Sequence, residues 1–287
     1  MSAPRETSAP LALSAGSLAR FCQYITGELG IKMSDAKLPM LQSRLQRRLR
    51  ALGLASLEEY RDYLFDPSHG EEERVHFINA ITTNKTDFFR EPQHFDYLVR
   101  TALPDLDPGG AAERPLRLKL WCAGCSSGEE AYTLAMVLSE YRAGRPGFDF
   151  SILATDISTK VLSHAEVAIY DEERIEPVPA ALRPKYLLRS RDRAQSKIRI
   201  VPELRQKVSF LRLNFMDAHY GVKEMAEVIF FRNVLIYFDK PTQEAVIRKL
   251  CRHLVPGGYL FVGHSESLAG LDLPVVSVGA AVYRKPL

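Results

Sequence analysis

One stretch constrains the fold of this chain more than any other: LWCAGCSSGEEAYTLAM, residues 120–136. It begins as an apolar strand, passes through small residues and the glycines Gly124 and Gly128, and ends with helical spacing. Strand, tight turn and helix form the unit of open α/β sheets, which present such turns to ligands at the carboxyl ends of their strands. The turn does not suit a phosphate. A P-loop carries lysine after its last glycine, where this chain has Glu129, and the dinucleotide fingerprint needs a G-x-G-x-x-G that two glycines cannot supply. Glu129 or Glu130 beside a pyrophosphate would also repel it, by about 1–4 kcal/mol for charges about 4 Å apart.

The chain around this turn divides by grammar. Residues 1–14 are an Ala/Ser/Pro-rich tail without the pattern of a signal peptide. Residues 15–90 are expected to form a helical domain, with apolar stripes at Leu18, Phe21, Cys22, Ile25 and Leu29 and at Leu38, Leu41, Leu45, Leu49 and Leu52. Gly53 is a plausible helix C-cap, and Ser56 to Glu59 a capping box. Residues 91–115, ending in DLDPGGAAERP, are expected to be a linker. From 116 to 287 strands alternate with helices, which predicts a mainly parallel, Rossmann-like sheet covered on both faces. The alternation breaks at about 178–207, where KYLLR and KIRIV flank a polar turn, as in a small antiparallel β insertion.

Several function classes are excluded early. No apolar run is long enough for a membrane span, and a net charge of +3 gives no case for nucleic acid. Cys122 and Cys125 have C-x-x-C spacing, but no second ligand pair follows, so no metal is expected. Four unpatterned cysteines and no export signal point to a reducing, cytoplasmic location. What suits an acidic turn is a cation with ribose hydroxyls and no phosphate, and S-adenosylmethionine is such a ligand. The second strand, FSILATDIS, ends in Asp156, where a carboxylate can accept both ribose hydroxyls. The competing reading of Asp156 is a helix N-cap before STKVLSHAEV.

INAITTNKTDFFREPQHF, SSGEEAYTLAM, ATDIS, FLRLNF, FFRNVLIYFDKPTQE and PGGYLFVGHSESL together resemble the CheR-type chemotaxis methyltransferases, from about residue 15 to the end. The resemblance implies a class I methyltransferase domain behind a helical one, esterifying glutamates of bacterial chemoreceptors with S-adenosylmethionine and releasing S-adenosylhomocysteine. It implies cofactor contacts from Asn84, Thr86 and Arg90, with Arg90 paired to the cofactor carboxylate. Glu130, in preference to Glu129, would hold the amino or sulfonium end, and Asp156 the ribose. Asn214 and Phe215 would flank the adenine, and Arg232 and Asn233 would close the site. Tyr237 would reach toward the methyl, and Arg90 or Tyr237 would orient the acceptor. A catalytic histidine is not expected, because a glutamate of pKa about 4.3 is already a carboxylate at neutral pH; His264 is read as structural.

Residues 32–52 carry Lys32, Lys37, Arg44, Arg47, Arg48 and Arg50 against one acid, Asp35. A solvated helix surface explains such a run, and so does electrostatic docking of an acidic receptor region. The resemblance favours docking, with Lys37, Arg44, Arg47, Arg48 and Arg50 as candidates, and puts this helix near the mouth of the site. The insertion resembles a β-subdomain that in some members grips a receptor tail peptide, although its turn, RSRDRAQSK, is basic and lacks glycine. A monomer is expected, with no nucleic acid and no membrane insertion. The alternatives are a non-catalytic sensor of the cofactor and a methyltransferase acting on another protein.

Overall fold

The computed structural model describes residues 15–68, 70–107, 116–192 and 194–287. The expected tail, residues 108–115 of the expected linker, and Arg193 in the insertion turn lie outside the described residues. The chain forms two compact units that divide between Thr83 and Asn84, earlier than the expected boundary at 90.

In the first unit, α1 (Ala15–Leu29) buries Phe21, Ile25 and Leu29, and α2 (Leu38–Leu52) buries Leu41, Leu45 and Leu49. These are the stripes read from the sequence, and α2 ends where Gly53 takes a left-handed φ of 70°. α3 (Leu57–Phe65) begins with the Ser56 hydroxyl accepting the Glu59 N–H at 3.1 Å. The return bond goes to the N–H of Ala55 rather than Ser56, so the capping box is offset by one residue. α4 (Gly70–Ile81) completes the unit, and Phe21 stacks on Tyr60 of α3 and Phe77 of α4 at 6.0 and 5.8 Å. Each such buried ring contributes about 1.5–3 kcal/mol.

In the second unit, α5 (Gln93–Tyr97), a π turn (Leu98–Ala102) and α6 (Leu103–Leu106) follow one another without a break. A linker was expected here. Phe95, Leu98, Ala102 and Leu103 recur at helical spacing and are buried in the core, so the segment packs instead of connecting. Pro104 stands in the first turn of α6, directly after the π turn, so the ladder changes register where a proline has no N–H to give and would clash with the carbonyl four residues back.

The main sheet starts with β1 (Arg117–Ala123), followed by α7 (Glu129–Ala143), β2 (Asp149–Asp156) and α8 (Thr159–Val167). Then comes the insertion: β3 (Ile169–Asp171), α9 (Arg183–Tyr186), β4 (Leu187–Arg189) and β5 (Lys197–Ile200), forming a separate antiparallel sheet of order β3-β5-β4. It thus begins at 169, earlier than the 178 read from the sequence. After α10 (Pro202–Arg205) the main sheet resumes with β6 (Val208–Arg212), β7 (Ala226–Phe231), α11 (Lys240–Arg252), β8 (Leu254–Val262), β9 (Val276–Gly279) and β10 (Val282–Arg284). The order is β6-β2-β1-β7-β8-β10-β9, parallel from β6 to β8 and antiparallel in the final hairpin. β8 runs through the VPGG stretch at 255–258, with a register shift between Ala226 and Val228 opposite it.

β1 shows why the sheet is covered on both faces. Leu118, Leu120 and Cys122 enter one core cluster, while Trp121 and Ala123 enter the other. The chain adds β2 and β6 on one side of β1, then returns to place β7 on the other. That reversal opens a crevice at the carboxyl ends of β1 and β7, where ligands of such sheets bind.

Candidate active site

The turn from β1 into α7 has Gly124, Ser126 and Gly128 at φ of 83°, 50° and 95°. Ser126 is the costly member, because left-handed backbone disfavours a side chain. It is held by its N–H on Asp156 Oδ2 and its hydroxyl on the Asn84 carbonyl, both at 2.9 Å. Gly124 and Cys125 donate their N–H groups to the Thr155 carbonyl, and Gly128 donates to the Cys125 carbonyl. Four N–H groups of the turn, those of Gly124, Cys125, Ser126 and Gly128, are therefore committed inside the protein. A guest at this turn meets carboxylates.

Asp156 is buried and its second oxygen accepts the Ser158 N–H at 2.9 Å. The N-cap of α8 is Ser158, so Asp156 is a strand-end group that joins two loops. Burial raises its pKa, and the N–H groups of Ser158, Ser126 and Ile157 oppose the rise. Three backbone N–H groups still leave the carboxylate acceptor capacity for a ribose hydroxyl.

The two acids of the turn have different fates. Glu129 is 1% exposed and closed in by Arg174, 2.5 Å away, and by the Ser127 hydroxyl at 2.7 Å. Arg174 also donates to the Thr86 carbonyl at 2.7 Å, which fastens the segment after Asn84 to the first turn of α7. Glu130 remains 14% exposed and lies 2.9 Å from Arg232 Nε, with the Cys122 thiol donating to it at 3.3 Å. The Nε–H does not point at the carboxylate, so the contact is an ion pair without an aligned hydrogen bond.

Arg232, expected among the cofactor contacts, has a side chain only 1% exposed. It donates to the Arg90 carbonyl at 2.5 Å and to His94 Nδ1 at 3.2 Å, and lies against the rings of Phe95 and Phe230. Its side chain holds Glu130 and the Arg90 backbone in place; the reason is burial, which leaves it no face on the crevice. Arg90 itself is 33% exposed and donates to the Lys85 carbonyl. Thr86 is buried, and Asn84 is half-buried. The Asn214 side chain accepts the Met216 N–H, and the buried Phe215 ring packs edge-on against Phe231 at 4.9 Å. Phe215 is thus chiefly a core aromatic. Asn233 has a φ of 60° and Tyr237 is half-buried on a 3₁₀ turn, Leu235–Tyr237.

Glu91 was not anticipated. It accepts the Asn233 side-chain amide and the His264 N–H, each at 3.2 Å, and lies 4.0 Å from Arg232. Burial raises its pKa, but Arg232 and the bonds from Asn233 and His264 outweigh that and leave it lowered. The only hint in the sequence is its place beside Arg90; both Phe89 and Glu91 have positive φ. Ligand-type atoms of Glu91, His94 and His264 lie within 4.8 Å of one another, as in a metal site. The Arg232 guanidinium, 3.2 Å from His94, already supplies the positive charge of that cluster. Burial and then Arg232 push the His94 pKa down to about 4, so the ring is neutral and accepts through Nδ1.

In the helical unit the basic residues separate into two kinds. Arg48 makes a paired bond to Glu73 at 2.7 and 2.6 Å, and the Tyr60 hydroxyl donates to the same carboxylate at 2.7 Å. Arg44 donates to the carbonyls of Ile81 and Thr82 at the carboxyl end of α4. Both are tied into the helical unit by these bonds. Arg47 and Arg50 are exposed, with Arg50 reaching only the Gln46 carbonyl at 3.4 Å, and Lys37 donates to the Lys32 carbonyl. Among the described residues no helix is long and apolar enough to cross a membrane.

Comparison with known proteins agrees with this geometry. Residues 17–82 match the family described as CheR methyltransferase, all-alpha domain, and residues 84–283 match CheR methyltransferase, SAM binding domain. A chemotaxis protein methyltransferase of Borreliella burgdorferi is 38% identical over 95% of both chains. Chemotaxis protein methyltransferase 2 of Pseudomonas aeruginosa is 41% identical over 88% of this chain and 87% of its own. The Escherichia coli chemotaxis protein methyltransferase is 36% identical over 95% of this chain and 92% of its own. Two units that match in order and almost end to end, around a strand-end turn built for a cation, show that the chain belongs to the CheR methyltransferase family.

Proposed function

We propose that this chain methylates glutamate side chains of bacterial chemoreceptors with S-adenosylmethionine, working as a cytoplasmic monomer. The observation that carries it is the turn before α7: the N–H groups of Gly124, Cys125, Ser126 and Gly128 are used internally, while Asp156 and the partly open Glu130 present negative charge at the strand ends. Those groups fit a cationic ligand with ribose hydroxyls. The donor, when bound, supplies an electrophilic methyl whose bond to sulfur breaks as the acceptor oxygen forms its own, the electron pair returning to sulfur.

Asp156 takes the ribose hydroxyls, Glu130 the amino or sulfonium end, and Arg90 the carboxylate. Asn84, Thr86, Asn214 and Phe215 complete the pocket. Arg232 acts through Glu130 and the Arg90 carbonyl, and Asn233 closes the site. Tyr237, with Arg90, orients the incoming carboxylate. No general base is needed, because the acceptor is ionised at neutral pH. The protein's task is to hold acceptor and donor in line and to exclude water.

The exposed Arg47 and Arg50, with the half-buried Lys37, attract a glutamate-rich receptor segment, an attraction that salt weakens. The edge strand β4, with Leu188 48% exposed, suits strand addition by a receptor tail. The deciding experiment incubates the protein with methyl-labelled donor and receptor-bearing membranes. Base-labile label on the receptor is expected; its absence with folded, cofactor-binding protein would sink the proposal.

A further inference from the structure

Glu266, in the stretch GHSESL, has no part in the roles given so far, yet it is buried, at 6% exposure. Its Oε2 accepts the N–H groups of Asn233 and Gly263 at 2.8 and 2.7 Å, and its Oε1 accepts that of Ile236 at 3.2 Å. The donors come from the segments that leave β7 and β8, so one carboxylate ties two neighbouring strand ends together. The loop it holds contains Asn233, in left-handed backbone, and the 3₁₀ turn that carries Tyr237. Gly263 belongs to the same device. A Cβ there would meet Asn233 Nδ2 at 2.4 Å and Glu266 Oε2 at 2.9 Å.

A buried carboxylate that takes N–H groups from two neighbouring strand ends, two of them from the loop after β7, is more than a helix cap. It fixes the loop's path through backbone N–H groups, without using any side chain of that loop. Glu91 supplies the complementary hold, taking the Asn233 amide from the other side. We infer that Glu266 is a positioning residue for methyl transfer, setting the Asn233–Tyr237 loop so that Tyr237 meets the acceptor carboxylate. The inference rests on the proposed function and adds a residue to it.

The test follows from which oxygen takes which donor. In Glu266→Gln the amide oxygen can keep the two N–H groups of Asn233 and Gly263, while its NH₂ group faces the Ile236 N–H and releases the turn bearing Tyr237. Expected is a kcat lowered at least tenfold at saturating donor, with S-adenosylhomocysteine affinity by calorimetry within about threefold of the parent. In a double-mutant cycle with Tyr237→Phe, the combined variant should be no more than about twofold slower than the slower single variant. Glu266→Ala, which frees all three donors, should weaken S-adenosylhomocysteine binding as well. A Glu266→Gln enzyme with parental kcat, or one whose loss is fully accounted for by its unfolded fraction, would overturn the inference; so would losses that multiply in the cycle. Failure of the parent protein to methylate receptor would instead count against the proposed function.

Discussion

Two arginine–carboxylate clusters, one in each unit, use the same chemistry to different ends. In the helical unit, Arg48 grips Glu73 through two aligned bonds, and Tyr60 takes up remaining acceptor capacity. In the catalytic unit, Arg232 lies 2.9 Å from Glu130 without an aligned bond, and Glu130 keeps some exposure. The first cluster is saturated and closed. The second has an acid that is held in position but not used up. Saturation marks an ion pair that supports the fold, and a carboxylate left partly open at strand ends marks one that can receive a guest.

The difference can be broken, starting with the largest expected effect. Removing Glu73 by Glu73→Ala leaves Arg48 and Tyr60 without their shared partner, at a cost of about 3–5 kcal/mol of stability. Denaturant unfolding measures it, and a loss below about 1 kcal/mol would mean that the helical cluster is dispensable.

The catalytic cluster should announce itself through pH. His94 faces Arg232, Glu91 and His264, and its folded pKa of about 4 lies below the ordinary 6.5. Between those values the unfolded chain binds the proton and the folded one does not, so stability falls as pH drops from about 6.5 to 4. The full effect is roughly 3 kcal/mol, and a His94→Gln variant should show a shallower slope in the same window. A parent whose midpoint is flat across that window would show that burial beside Arg232 does not keep the ring neutral.

Asp156→Asn sharpens the contrast from the ligand side. It should weaken S-adenosylhomocysteine binding by about 1.5–3 kcal/mol, roughly 10- to 150-fold, by calorimetry. Unaltered affinity would take Asp156 out of the pocket. The smallest effect belongs to the exposed arginines. Arg47→Ala with Arg50→Ala should slow receptor methylation severalfold at low salt and little at high salt, with thermal stability and donor affinity unchanged. Equal slowing at both salt levels would remove the docking role. Arg48→Ala, by contrast, should act through stability.

Much of this was legible in the chain. The apolar stripes of α1 and α2, the strand–turn–helix at 120–136 and the position of Asp156 all rest on local spacing, which sequence reports directly. Partnership between distant residues does not. Nothing near Arg232 says that it will be enclosed by Glu130, His94 and the Arg90 carbonyl, and nothing near Arg48 names Glu73. Six basic residues on one segment read as one surface, yet two of them are held inside the unit. The expected linker failed for a different reason: it rested on the composition of DLDPGGAAERP, and the helical spacing of Phe95, Leu98, Ala102 and Leu103 ahead of that stretch outweighs it.

Gly263 has a consequence for how this chain can vary. Most glycines are retained for their backbone angles, so an alanine there strains only its own residue. At Gly263 the obstacle is the neighbouring strand end, and even a methyl group would press on the loop after β7. In a saturation library, alanine at 263 should therefore be selected against for loss of methyl transfer, and a compensating change would be sought across the sheet, at 233 or 266, rather than beside it in the chain.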